Sequence, residues 1–116
     1  MPTTDCLFCL IIAGGIPSKK VFEDDEFFAF RDINPQAPVH VLLIPKRHIP
    51  MVSALAEGDG ALMGTMMLRA AEIARQEGVA GSGYRLVINN GESASQSVFH
   101  IHLHILGGRV FGWPPG

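Results

Sequence analysis

No stretch of this 116-residue sequence is apolar for long enough to cross a bilayer, which takes about 20 residues. The opening "MPTTDC" has no basic segment followed by an apolar one. No secretory signal is read there, and the expected compartment is the cytoplasm. Charge is sparse as well: 17% of residues are charged, and nine cations against eleven anions give a net charge of −2. Lys19–Lys20 and Lys46–Arg47 are the only adjacent basic pairs. A nucleic-acid polymer needs a broad cationic face, so none is expected as a partner, although a single nucleotide is not excluded. There is no strand–GxGxxG–helix unit, no P-loop, no internal repeat and no linker. What remains is one globular domain over residues 1–116, 47% hydrophobic, with no membrane association expected.

Cysteine is nearly missing too. Cys6 and Cys9 are the only two, and they sit in "CLFC". In a reducing compartment such a pair reads as a metal half-site or a redox motif before it reads as a disulfide. A third reading is two small buried hydrophobes one helical turn apart. No strand precedes the pair, which weakens the redox reading.

Elements follow from the patterning. Asp5 is expected to cap a short helix, "CLFCLIIAG", ended by Gly14–Gly15. "KVFEDDEFFAFRDI" reads as two strands joined at an acidic turn, and "VHVLLIP" as a buried strand stopped by Pro45. A helical pattern runs from Ser53 to Gln76, with Leu62, Met66, Ala70, Ile73 and Ala74 on one face. Gly64 within it costs about 1 kcal/mol relative to Ala. "YRLVIN" and "VFHIHLHIL" are the last strands, separated by the loop "NGESASQS", and "GGRVFGWPPG" is an irregular tail. The order predicts an α+β fold: a mainly antiparallel five-stranded sheet with one long and one short helix.

Three of the five histidines, His100, His102 and His104, alternate with apolar residues in that last strand. Side chains alternate across a strand, so the three imidazoles share one face, and Phe99, Ile101, Leu103 and Ile105 are expected on the core face. His40, at the start of another apolar strand, can bring a fourth imidazole to the same place. Three uses compete: histidines that merely satisfy their surroundings, a catalytic metal held by imidazoles, and metal-free chemistry with a neutral imidazole as nucleophile. Spacing alone does not separate the last two.

"NPQAPVHVLLIPKRHI", "QSVFHIHLHILGGR" and the ending "WPPG" resemble the histidine triad (HIT) superfamily. The motif that carries the resemblance is His100-Ile-His102-Leu-His104-Ile-Leu. The ending is similar to the nucleotide-binding, phosphoramidase (Hint) branch. The resemblance implies a HIT-like fold and a two-fold homodimer. It also implies hydrolysis of nucleoside 5'-phosphoramidates through a nucleotidyl-histidine. In that reading His102 is the nucleophile. His104 binds phosphate and helps protonate the leaving amine, His40 completes the relay, and Ser97 meets the leaving group. Asp32 accepts from the ribose hydroxyls; on sequence alone it is equally a turn residue before "NPQ". Asn89 lies towards phosphate and ribose, and backbone N–H groups around Gln96 and Val98 face phosphate oxygens. Phe8, Ile11, Ile16, Phe30, Ile33 and Leu42 would form an apolar pocket for a purine, as in AMP, GMP and their phosphoramidates. Without the resemblance they read as plain core. Trp113 is expected to approach the partner's site.

The resemblance also gives Cys6, Cys9, His48 and His100 as ligands of a structural zinc, with no metal needed for catalysis. One departure stands out: "ESAS" precedes Gln96 where such proteins often carry a glycine pair. The alternatives are dinucleoside polyphosphate hydrolysis or nucleotidyl transfer, a zinc hydrolase with the triad as ligands, and a non-catalytic nucleotide sensor.

Overall fold

The computed structural model describes residues 5–116. In chain order the elements are α1 (Leu7–Ile12), β1 (Lys20–Glu23), β2 (Phe27–Arg31), β3 (Val39–Pro45), α2 (Gly60–Gln76), β4 (Tyr84–Val87) and β5 (Leu103–Gly107). The strands form one antiparallel sheet in the order β1-β2-β3-β5-β4. This is the α+β architecture expected from the pattern of elements. Among the described residues, no helix is long and apolar enough to cross a membrane.

Strand alternation divides the core in two. Phe27, Ala29, Val41, Leu43, Leu103 and Ile105 face Met66, Ala70 and Ile73 of α2. Phe28, Phe30, Leu42 and Ile44 face the other way, against Cys6, Phe8, Cys9 and Ile11 of α1. The two helices differ in reach: α2 has 17 residues and α1 only six. So α1 covers part of its face and leaves the rest open. Leu42 pairs with His104 across β3 and β5, and His40 lies two residues before Leu42. Parity therefore puts His40 and His104 on the α1 face, where it is not covered.

Three expectations change. α1 is capped by Cys6 and not by Asp5: the Cys6 Sγ accepts the N–H of Cys9 at 3.3 Å. The helix begun at Ser53 is two short 3-10 turns, and α2 starts only at Gly60. Regular pairing in β5 starts at Leu103, so parity fails upstream. Ile101 is buried, its N–H donating to the Ile49 carbonyl at 2.6 Å, but Phe99 is 44% exposed and is not core.

Two backbone positions shape the approach to the site. A Cβ on Gly107 would lie 2.7 Å from the Cβ of Val79, so only glycine lets Val79 pack against the end of β5. Ser95, in the "ESAS" loop, has φ +69° and is the sole non-glycine in that region among the described residues. A left-handed conformation costs an L-residue about 1–2 kcal/mol, which accounts for glycine being the easier residue there.

Candidate active site

The histidines form two groups, and hydrogen bonds orient every ring. The Gln36 N–H donates to His40 Nδ1 at 3.0 Å. An Nδ1 that accepts leaves the proton of a neutral ring on Nε2. That Nε2–H faces His104 Nδ1 at 2.9 Å and the Asp32 carboxylate at 3.4 Å. His104 Nδ1 is then an acceptor in turn, and its proton sits on Nε2. This atom is buried and is the single buried side-chain nitrogen or oxygen without a partner among the described residues. A buried N–H left unpaired in the free protein is suited to a ligand that arrives later.

His102 is oriented the opposite way. Its Nδ1–H donates to the His100 carbonyl at 2.8 Å, leaving the lone pair on Nε2. The ring lies 5.0 Å from that of His104, centroid to centroid, and the Phe8 ring stands perpendicular to it at 5.1 Å. A lone pair therefore lies beside an N–H donor.

Burial pushes the pKa of His40 and His102 below the usual histidine value, and that of His104 down to about 4. For His40 the Asp32 carboxylate opposes burial without outweighing it; for His104 the neighbouring imidazoles add to it. The unfolded chain binds protons here that the folded chain refuses. His104 thus contributes stability above about pH 6.5 that is lost as pH falls towards 4, and His40 contributes in the same direction. Chemical denaturation at several pH values should show this loss, and it should be smaller in His104→Asn than in the wild type. Equal losses in the two proteins would remove His104 as a source.

An open cleft of about 740 Å³ adjoins His40. Ile11, Ile16, Phe30 and Ile33 give it apolar walls, and Asp32 stands near the histidine end. Its volume suits a small organic ligand. Asp32 also closes its turn, accepting the Asn34 N–H on Oδ1 at 2.8 Å, while its Oδ2 faces His40 Nε2, so the turn role and a place in the site coexist. Sequence reasoning missed Leu7, Lys19, Pro35 and Pro38 on the walls. They come from loops and the outer side of α1, which carry no periodic signal.

Phe8 and Leu42, expected in the pocket, do not line it. Both are buried beneath it, with Phe8 against His100 and His102. The Gln96 side chain is buried and used within the chain: it accepts the Gly91 N–H and donates to the carbonyls of Pro50 and Val98. Its backbone N–H donates to the Gly91 carbonyl at 3.1 Å. Of the N–H groups expected to face phosphate, Gln96's is therefore taken. Ser97 is exposed on the loop leading to His100, Val98 packs against the α1 core, and Asn89 is half-buried just beyond β4. Trp113 is 84% exposed in the tail.

The second group is Cys6, Cys9, His48 and His100, whose ligand atoms all lie within 4.8 Å of one another. His100 Nδ1 is 3.3 Å from Cys6 Sγ, 3.6 Å from Cys9 Sγ and 3.2 Å from His48 Nδ1, and Cys9 Sγ is 3.4 Å from His48 Nδ1. A tetrahedral zinc with bonds of about 2.0–2.3 Å has edges of roughly 3.3–3.8 Å. The His100 Nε2–H donates to the Pro45 carbonyl at 2.8 Å, which turns the Nδ1 lone pair towards the group. Burial holds His100 neutral, its pKa lowered to about 4. Donor types, tautomer and spacing all fit zinc. A different cluster, Asp32, His40 and His104, is equally compact but does not fit. The His40 Nδ1 lone pair already accepts the Gln36 N–H hydrogen bond, so metal at Nε2 would require an imidazolate. Nor do the three triad histidines converge, because His100 turns towards the cysteines.

The HIT domain family model matches residues 13–111. A curated HIT-like protein of Synechocystis is 56% identical over 112 residues, 97% of each chain. A crystal structure of a HIT family hydrolase from Legionella pneumophila superposes with a TM-score of 0.95 at 50% identity, over 97% of this chain and 100% of that one. A zinc-bound histidine triad family protein from Mycobacterium smegmatis superposes with a TM-score of 0.77 at 34% identity, over 97% and 80%.

Proposed function

Since the chain belongs to the HIT-domain family, we propose that it is a purine-nucleotide-binding hydrolase that cleaves the P–N bond of nucleoside 5'-phosphoramidates. HIT proteins bind nucleotides in general, and the Legionella relative is described as a hydrolase. The observation that carries the reading is the opposed orientation of His102 and His104. One presents a lone pair and the other an N–H, and His40, bonded to His104, lines a cleft with apolar walls and a carboxylate.

In this reading the base lies between Ile11, Ile16, Phe30 and Ile33, and Asp32 Oδ2 accepts from the ribose hydroxyls. His102 Nε2 attacks the α-phosphorus, forming a P–N bond to the imidazole as the bond to the amine breaks. Throughout, the His100 carbonyl holds the His102 Nδ1–H. The His104 Nε2–H bonds to the leaving nitrogen, and a proton taken up from solvent by the His40–His104 pair passes through it to the amine. Water then attacks the nucleotidyl-histidine. Its hydroxyl goes to phosphorus as the bond to His102 Nε2 breaks, its proton returns to solvent through the His40–His104 pair, and the nucleoside monophosphate leaves. Ser97 is proposed at the leaving group, Asn89 near phosphate and ribose, and the Val98 N–H at a phosphate oxygen.

A steady-state comparison of adenosine and guanosine 5'-phosphoramidates with diadenosine polyphosphates tests this. Phosphoramidates should turn over faster, with similar rates for the two bases. Faster cleavage of the polyphosphates would favour the other hydrolase branch, and binding without turnover of either would favour a sensor. Most of the activity should survive chelation at temperatures where the fold holds, because no catalytic step uses a metal.

The zinc proposal follows from the donor geometry and from the zinc-bound relative. Cys6, Cys9, His48 and His100 would hold the ion, which would tie α1 to the loop after β3. A dimer is proposed too. Gly64, Met67, Leu68 and Ala71 form one stripe along α2; Leu68 is 64% exposed, and nothing lies within 4 Å of a Cβ placed on Gly64. β4 is an edge strand that exposes Leu86. A second copy joining along this stripe and edge would cover both and leave Trp113 free to approach the partner's site. Sedimentation at micromolar concentration should show a dimer, and Leu68→Glu a monomer. A monomeric wild type would remove the idea.

A further inference from the structure

The tail after β5 is fastened to the turn that orients His40. The Arg109 Nε–H donates to the Gln36 carbonyl at 2.9 Å, and its guanidinium lies 4.2 Å from the centre of the Phe111 ring. Arg85, from β4, approaches the same ring at 5.1 Å and donates to the Gly112 carbonyl at 2.8 Å. At Gly108, φ is +88°, and the backbone comes so close to Pro38 that a Cβ would meet it at 3.0 Å. The arginine–phenylalanine stack thus anchors the tail to β4 and grips the loop before β3. Within that loop, Gln36 uses its carbonyl for Arg109 and its N–H for His40 Nδ1.

The His40–His104 hydrogen bond can run in either direction. With protons on both Nε2 atoms, His40 donates and His104 presents an N–H to the site. With protons on both Nδ1 atoms, His104 donates back to His40 and presents a lone pair instead. Both orders keep the rings in place, so packing does not choose between them. The Gln36 N–H does choose, because it can face only an acceptor at His40 Nδ1, and the Asp32 carboxylate, 3.4 Å from His40 Nε2, favours the same order without fixing it alone.

The geometry points to Arg109 as a positioning residue that sets the direction of the His40–His104 hydrogen bond by holding the Gln36 backbone in place. Arg109 touches neither histidine and acts through Gln36. With the grip lost, the Gln36 N–H swings away, the Nδ1-protonated order becomes populated, and His104 no longer offers a proton donor. The kinetic consequence rests on the hydrolase reading above; the tautomer consequence does not.

The test compares wild type, Arg109→Ala and Arg109→Lys by 15N NMR of the imidazoles and by turnover. In the wild type, His40 and His104 should both carry the proton on Nε2. In Arg109→Ala, both should show a mixture of Nε2–H and Nδ1–H. For an alkylamine phosphoramidate of AMP, whose leaving group needs a proton, kcat should fall about tenfold or more with KM little changed. For the 4-nitrophenyl ester of AMP, whose leaving group departs without one, the fall should be less than about threefold. Arg109→Lys keeps a donor for the Gln36 carbonyl and should restore most of both signatures. An Nδ1 proton on wild-type His40 would overturn the proposal, even if the alanine variant failed to fold. So would Arg109→Ala with unchanged tautomers and unchanged dependence on leaving group. A wild type inactive on every phosphoramidate would remove the hydrolase reading and still leave the tautomers to be read.

Discussion

His102→Ala is expected to lose phosphoramidate turnover by about 10⁴–10⁶-fold, the scale of removing a nucleophile, while still binding AMP. The size of the loss follows from the neighbours. His40 and His104 both present N–H and not a lone pair, so neither can take over the attack. Binding survives because the cleft walls and Asp32 do not touch the deleted ring's function. His104→Ala differs: it keeps the nucleophile and slows departure of the amine. A triad acting as metal ligands would instead lose similar activity at every position. Rapid quench with a labelled phosphoramidate, followed by peptide mapping, should place an acid-labile label on His102. Near-wild-type turnover in His102→Ala would end the mechanism.

The second large effect is at the cysteines. The purified protein should carry about one zinc per chain, as one Cys₂His₂ site implies. Cys9→Ser should lose it, with a drop in Tm on the order of 10 °C or more, since each kcal/mol moves a domain of this size by several degrees. The cost is high because the group is buried. Without the ion, His100 and His48 face each other through two Nδ1 atoms 3.2 Å apart, of which His100's carries no proton. Much of the turnover should remain, because His102 is held by a main-chain carbonyl. Metal analysis and thermal melts with and without added zinc read this directly. A zinc-free wild type whose Tm does not respond to zinc would exclude the site.

Alternation made most of the sheet legible. β2 and β3 are apolar on both faces where helices cover them, His40 marking the uncovered end, and α2 shows its buried stripe plainly. Local chemistry was harder to read. A thiol is an unusual helix cap, so Asp5 looked the better choice than Cys6. The chain from Val98 to His102 has strand composition but no ladder, and Phe99 turned outward. Among the site residues, identity was legible and orientation was not. The proton positions of His40, His100 and His102 are set by main-chain groups outside the regular elements' periodic pattern, the Gln36 N–H, the Pro45 carbonyl and the His100 carbonyl, and that of His104 by His40. The same limit explains Phe8 and Leu42. An apolar residue under a pocket and one lining it look alike in sequence.

Residue 100 serves two neighbourhoods with two different parts of itself. Its imidazole belongs with the cysteines, and its carbonyl fixes the ring of His102. Every amino acid has that carbonyl, so selection can act on the two duties separately. A descendant that lost Cys6 and Cys9 would be free to exchange His100 for another side chain able to fill the space by Pro45, with the neighbouring imidazole still correctly turned. On the proposed mechanism His102 and His104 have no such freedom. Drift at the first position of the triad would then report the loss of a metal, and drift at the second the loss of an enzyme.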